Sequence, residues 1–399
     1  MSARKRALAL ATGVLALVAT TSAATTNAYA ASAPTSLPTS QFTLTSNYHQ
    51  YDALNSALTT KLGTASVDTV MANANHDRTA ISNPGVAGYV DGFGFDSGDN
   101  NDCTNYPQGI TSSRDAIGTA NSGNYDGHQL ILVSWYTTAG CGGAQSRSRI
   151  TLVDWDATYP NDYRKILLVE PTGTAAAPSF KDITVHAGGV SWYGDYLYVA
   201  DTGHGMRVFN LKDILKTNTG GTADQIGRQS DGTTYYAHNY AYVLPQIGTI
   251  TAATTSGTPL VWSSISLDRV SGSIVMVEYT CQSGCTAYPN RAPRAIRFPF
   301  ASGANTFAAT TTATQALQLP WYKLNGVASH NGRWWFNSSG NKQLYYWTPA
   351  TGSHTYAWVS GGESLSYWED TTNADLLWSL QETQGHRDVF AVQQATYGP

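Results

Sequence analysis

The chain reads as all-β, a five-bladed β-propeller with about four antiparallel strands per blade, and three observations lead there. The first is the stretch from His186 to Leu211, HAGGVSWYGDYLYVADTGHGMRVFNL. It holds three extended runs, Gly188 to Tyr193, Tyr196 to Ala200 and Arg207 to Asn210, with Gly194-Asp195 as a tight hairpin turn between the first two. The second is that this plan recurs along the chain. The third is composition: 37 Gly, 24 Tyr and 11 Trp with only 13% charged residues describe many strands, many turns and aromatic-packed sheet faces.

Taken in order, the copies begin with Gln108 to Ser113, His128 to Trp135 and Arg149 to Trp155. The His186 copy follows, then Ser263 to Asp268, Ser273 to Tyr279 and Arg294 to Phe300. Next come Asn325 to Ser329, Arg333 to Asn337 and Gln343 to Trp347, then Glu363 to Trp368, Asp375 to Leu380 and Arg387 to Val392. A fourth run closes most copies: Lys165 to Glu170, Tyr240 to Leu244, Gln315 to Leu319 and Tyr356 to Ser360. Polar residues repeat too. An acid at the end of the second strand and an arginine near the third predict cross-hairpin pairs, Asp201 with Arg207, Glu278 with Arg294 and Glu382 with Arg387.

Residues 1–30 read as an export signal, removed near Ala31: Arg4-Lys5-Arg6, an apolar run from Ala7 to Val18, and a small-x-small site at Ala28-Tyr29-Ala30. Residues 31–80 are then a leader with one short helix, Tyr51 to Leu62, its first ten residues loose, and the propeller occupies 81–399. The last copy has only three strands before the chain ends. The extended run AGYVDGFGF within Ile81 to Phe95 is therefore expected to close the last blade as its outer strand. Residues 212–238 and 301–314, rich in Thr, Gly and Asn, are insertions between third and fourth strands.

Four cysteines in an exported chain imply two disulfides. Cys281 and Cys285 close a small loop, and Cys103 pairs with Cys141, because the blade register brings both to one end. Zinc binding by the four is the alternative, against which stands the lack of a His at ligand spacing beside them. The loop Asp96 to Asp102, DSGDNND, offers Asp96, Asp99 and Asp102 to a calcium ion, although it lacks the terminal Glu of an EF-hand.

A net charge of −4 with no basic tract excludes a nucleic-acid partner, and no polybasic or amphipathic stretch suits a membrane surface. A soluble monomer is expected. No nucleophile elbow, HExxH or phosphate loop is present. The register instead sorts polar residues by end. Asp99, Asp102, Arg147, His186, Asp201, His204, Arg207, Glu363, Glu382 and His386 fall at one mouth, and His330 falls at the other end. Among them His186 and His204 with Asp201 form a candidate acid/base group, and Arg147, Arg207, Glu382 and His386 are candidate ligand contacts.

At YPQGIT (Tyr106 to Thr111), HAGGVSWYGDYLYVADT (His186 to Thr202) and IGRQSDGTTYYAHNYAYVLPQIG (Ile226 to Gly248), the chain resembles a group of actinobacterial secreted propeller-like proteins of unassigned activity, over roughly residues 85 to 399. That resemblance implies export and fold and carries no catalytic residues. The architecture is similar to tachylectin-type lectin propellers and to five-bladed glycan-degrading enzymes. The expected function is accordingly a secreted, lectin-like binder of extracellular polysaccharide or cell-wall glycan. The alternatives are a polysaccharide lyase or glycoside hydrolase acting at the mouth, or a protein-interaction scaffold.

Overall fold

The computed structural model describes residues 33–138, 141, 147–156, 158–255 and 258–399, so the expected signal segment 1–30 lies outside the described residues. The chain is all-β. Its strands follow one another as antiparallel meanders of four, each running from an inner to an outer strand.

The first meander is Asn105–Ser112, Leu130–Thr137, Ser148–Asp154 and Tyr163–Thr174. The next is Val190–Tyr193, Tyr196–Asp201, Gly205–Asn210 and Tyr242–Thr254. Then come Trp262–Asp268, Ser273–Glu278, Arg294–Pro299 and Gln315–Gln318, followed by Leu324–His330, Arg333–Ser338, Gln343–Thr348 and Gly352–Ala357. The last is Gly362–Trp368, Leu376–Gln381 and Asp388–Gln393, completed by Tyr89–Gly94 from near the other end of the chain. The inner strands touch in sequence order, and Gly362–Trp368 returns to Asn105–Ser112, so the sheets form a nearly closed ring.

Glycine permits this approach. A Cβ on Gly189 would stand 2.2 Å from the Ile265 backbone nitrogen, and one on Gly109 would stand 2.7 Å from that of Val190. Only a residue without a side chain lets neighbouring inner strands meet there. Farther out the sheets pack through large side chains, with Trp135, Trp192, Trp262, Trp334, Trp335 and Trp378 all fully buried.

Two features depart from the sequence reading. The first two meanders are not separate sheets, because Val243–Pro245 pairs in parallel with Leu167–Val169 and fuses them. Nor is the leader loose: Thr35–Ser36 pairs with Leu317 and Gln318, and Phe42–Asn47 pairs with Thr249–Thr254, where Phe42 and Leu44 are buried. The expected helix is present at Asp52–Leu62, and it seats Leu58 against Leu167 and Val169. A second short helix, Val67–Met71, follows and is capped by Ser66.

Both disulfides join the expected partners, Cys103 with Cys141 and Cys281 with Cys285. Of the three cross-hairpin pairs, Asp201–Arg207 at 3.0 Å and Glu278–Arg294 at 2.8 Å form. The third does not. Arg387 turns away from the Glu382 carboxylate and donates to the carbonyl oxygens of Asp99, Asp102 and Glu382, its guanidinium lying 4.8 Å over Tyr106. Three fixed carbonyls and an aromatic face outweigh one carboxylate for this fully buried cation. No helix of the described residues is long and apolar enough to cross a membrane.

Candidate functional site

Where the inner strands begin, four of them are irregular in the same place. The register shifts between Pro107 and Gly109, between Trp262 and Ser264, between Leu324 and Gly326, and between Glu363 and Ser366. A bulge inserts an extra residue and re-aims its side chain. Here the extra residues Gln108, Ser263 and Asn325 all face one cavity of about 330 Å³, which Glu363 also lines. The backbone is strained at this point, since Ser364 sits at φ 48 without being glycine.

The remaining wall is aromatic and acidic: Tyr136, His186, Tyr279, Tyr288 and Glu382. Tyr136 leans on His186 with ring centres 4.2 Å apart, and Tyr279 on Tyr288 at 4.5 Å. Tyr288 lies three residues beyond the small disulfide loop, in a segment held where the Cys281 amide donates to the Pro289 carbonyl at 3.0 Å.

Glu363 and Glu382 have one amide donor each. Asn325 donates to Glu363 at 2.9 Å and Gln108 donates to Glu382 at 2.6 Å, so two bulged residues orient the two acids. Neither carboxyl forms an ion pair among the described residues. Burial, then the neighbouring Glu382 charge, push Glu363 well above the usual carboxylate range. Burial also raises Glu382. His186 keeps surface open to the cavity, while the protein packed around its ring desolvates the imidazole and pushes it down to about 4. The mouth therefore combines a histidine that resists protonation with a carboxyl that resists ionisation, groups able to accept and donate hydrogen bonds.

Of the sequence candidates, His186 and Glu382 line this cavity, together with Glu363 from the same expected group. His204 and Asp201 do not. His204 is exposed and bonds Asp201 at 2.9 Å, while Arg207 joins Asp201 to Glu170 and Gln246. The expected acid/base group of His186, His204 and Asp201 is thus divided, because Thr202 turns the chain into the cavity and the next residues away from it. Arg147 reaches the Ala223 carbonyl at 3.4 Å and His386 is exposed, both away from the cavity wall. His330 stacks on Tyr367 at 4.1 Å. It lies five residues along its strand from Asn325, about 17 Å, which places it at the other end.

The oxygen-rich loop is engaged by protein donors. Asp99 accepts from Arg149, Lys165 and Tyr163, and Asp102 from Thr104 and Asn105. His76, Asp96 and Asp99 nevertheless present three ligand atoms within 4.8 Å, with Asp102 outside the group. Arg149 and Lys165 already supply the positive charge that a calcium ion would bring to Asp99. Sequence reasoning missed Gln108, Tyr136, Tyr279, Tyr288 and Asn325. The available signal was a polar residue immediately before Gly109 and before Gly326 at the head of an inner strand.

No family model matches the chain, and no curated protein does. Among solved structures it is similar to the glutaminyl cyclase of Myxococcus xanthus, with a TM-score of 0.33 and 11% identity, covering 80% of this chain and 93% of that one. It is also similar to the PQQ-bound aldose sugar dehydrogenase of Streptomyces coelicolor, with a TM-score of 0.30 and 11% identity, covering 66% of this chain and 75% of that one. Likenesses of this strength transfer no function.

Proposed function

We propose that the chain is an exported five-bladed propeller that binds carbohydrate at the mouth formed by Tyr136, His186, Tyr279, Glu363 and Glu382. The observation that carries this reading is the convergence of bulged amide residues, two carboxyls and tyrosine rings on one cavity. Sugars offer apolar C–H faces to aromatic rings and a rim of hydroxyls to amides and acids, and the cavity's size suits one or two rings. Two disulfides accord with export into an oxidising compartment, and the basic, apolar and small-residue pattern of residues 1–30 accords with a signal.

A second reading rests on Glu363 alone. A buried carboxyl whose ionisation is pushed up by burial and a neighbouring acid is the kind of group that protonates a glycosidic oxygen, and Glu382, the acid that raises it, is the partner that such chemistry needs.

The test is binding of the mature protein to a panel of neutral and acidic oligosaccharides, followed by release of reducing ends. For a lectin, Tyr136→Ala and His186→Ala each weaken retention at least about tenfold, a loss of about 1.4 kcal/mol, without turnover. For a hydrolase, reducing ends appear, and Glu363→Gln stops their release while retention stays. Glycan binding that both alanine variants leave unchanged would place the site elsewhere. Silence towards every glycan would leave the scaffold reading.

A further inference from the structure

A second constellation lies far from the mouth. His128, Asp154 and Asp156 bring together one imidazole nitrogen and two carboxylate oxygens, all within 4.8 Å of one another. His128 stands just before the strand Leu130–Thr137, and Tyr136, at the mouth, is six residues along that strand from Leu130, about 20 Å away. His128 and Asp154 are 2% and 0% exposed, whereas Asp156 is open to solvent.

The histidine is held from behind. Its Nε2 lies 3.1 Å from Asp68 Oδ1 on the helix Val67–Met71, and the Tyr159 hydroxyl donates to the same oxygen at 2.6 Å. A proton on Nε2 satisfies that contact and leaves Nδ1 as a bare lone pair. Nδ1 has no hydrogen-bond partner although it is buried, and neither has Asp154 Oδ1. Nδ1 is 3.4 Å from Asp154 Oδ2, a contact without hydrogen-bond geometry. Backbone and side-chain donors fix the acids: Thr158 N donates to Asp154 at 3.0 Å, and Gln129 N and Thr158 Oγ1 donate to Asp156 at 3.1 and 3.2 Å. Two buried acceptors left facing each other without a donor are costly, and a nearby second carboxylate adds repulsion.

We propose that His128 Nδ1, Asp154 and Asp156 hold a divalent transition-metal ion, Zn2+ by the chemistry of the donors. A single imidazole with two carboxylates suits Zn2+, whereas Ca2+ takes six to eight oxygens. Asp68 is the outer carboxylate that sets the tautomer and basicity of the liganding histidine. Exposed Asp156 gives the ion its way in and leaves a coordination position to water. Because Asp68 belongs to the N-terminal segment, the ion ties that segment to the first meander.

The experiment titrates ZnCl2, and separately CaCl2, into the chelator-stripped full mature chain by calorimetry, with thermal unfolding alongside. Expected are one Zn2+ per chain, a raised Tm and no matching response to Ca2+. Asp156→Asn, at an exposed side chain, leaves the chain folded, yet it lowers Zn2+ affinity at least about a hundredfold, and Asp68→Asn lowers it about 10–100-fold. A folded protein that takes up no Zn2+ overturns the proposal, for then only a proton occupies Nδ1. Binding that survives Asp156→Asn and disappears with Asp96→Asn overturns it as well, by assigning the ion to the His76 group.

Discussion

At the residue scale, Glu363 is where the site and stability oppose each other. Its folded-state pKa lies above its unfolded value of 4.5, so between those values the folded chain holds a proton that the unfolded chain has lost. The stability it contributes is complete below pH 4.5 and declines as pH rises through the folded pKa. Glu363→Gln is therefore expected to raise Tm at pH 7–8 and to leave it nearly unchanged near pH 4. The gain at neutral pH is set by the shift itself, each tenfold difference in proton affinity between the folded and unfolded chain being worth about 1.4 kcal/mol. Thermal melts of the two proteins across that range check it, and equal differences at both ends would show that the carboxyl is ionised throughout. His186 has the opposite sign. Its lowered pKa costs stability as pH falls from 6.5 towards 4, so acid weakens the mouth through this residue and not through Glu363.

At the scale of single elements, the bulges and the disulfide loops share the task of aiming side chains at the cavity. Bulges place the extra residues Gln108 and Asn325 so that each orients an acid, and the Cys281 amide holds the Pro289 carbonyl beside Tyr288. The two bridges differ in what they constrain, with sequence separations of 38 and 4. Loop-closure entropy gives about 4 kcal/mol for the longer and about 2 kcal/mol for the shorter. Replacing Cys103 and Cys141 by Ser should accordingly lower the urea midpoint by roughly twice as much as replacing Cys281 and Cys285. The second pair of substitutions should instead weaken ligand retention by loosening the Cys281 backbone that holds Pro289 beside Tyr288. Strand positions were readable because Gly and Asx turns bracket β-branched and aromatic runs, as in Gly194-Asp195. The bulges were not, because a one-residue shift leaves the alternating pattern of each strand intact on either side. The Glu382–Arg387 pair failed for a related reason: two of the three carbonyls that capture Arg387 lie 285 and 288 residues away in sequence.

At the scale of the whole molecule, both ends of the chain close the ring. Tyr89–Gly94 supplies the outer strand beside Asp388–Gln393, and Tyr397 is buried with its hydroxyl on the Ala87 carbonyl at 2.9 Å. A chain shortened to start after residue 95 should expose the edge of Asp388–Gln393. We expect it to elute as aggregate or oligomer in size-exclusion chromatography and to lose its cooperative melt, whereas a monomeric, cooperative product would show that the closure is dispensable. The N-terminal segment before that strand is bound as firmly. Phe42–Asn47 extends the fused sheet, and Thr35–Ser36 pairs with Leu317 and Gln318, a pairing that the Ser, Thr and Pro content of residues 31–40 concealed.

What the sequence determined by itself was local: the strands, the turns, the short helix and the cysteine partners. Those follow from period, turn chemistry and register, each readable within a few residues. Tertiary structure alone decided which residues share a cavity or a ligand set. Glu363 meets Glu382, and His128 meets Asp68 and Asp154, only because separate strands and a helix close on one another. Burial then sets which of those acids keeps its proton, and no property of the sequence neighbours encodes that burial.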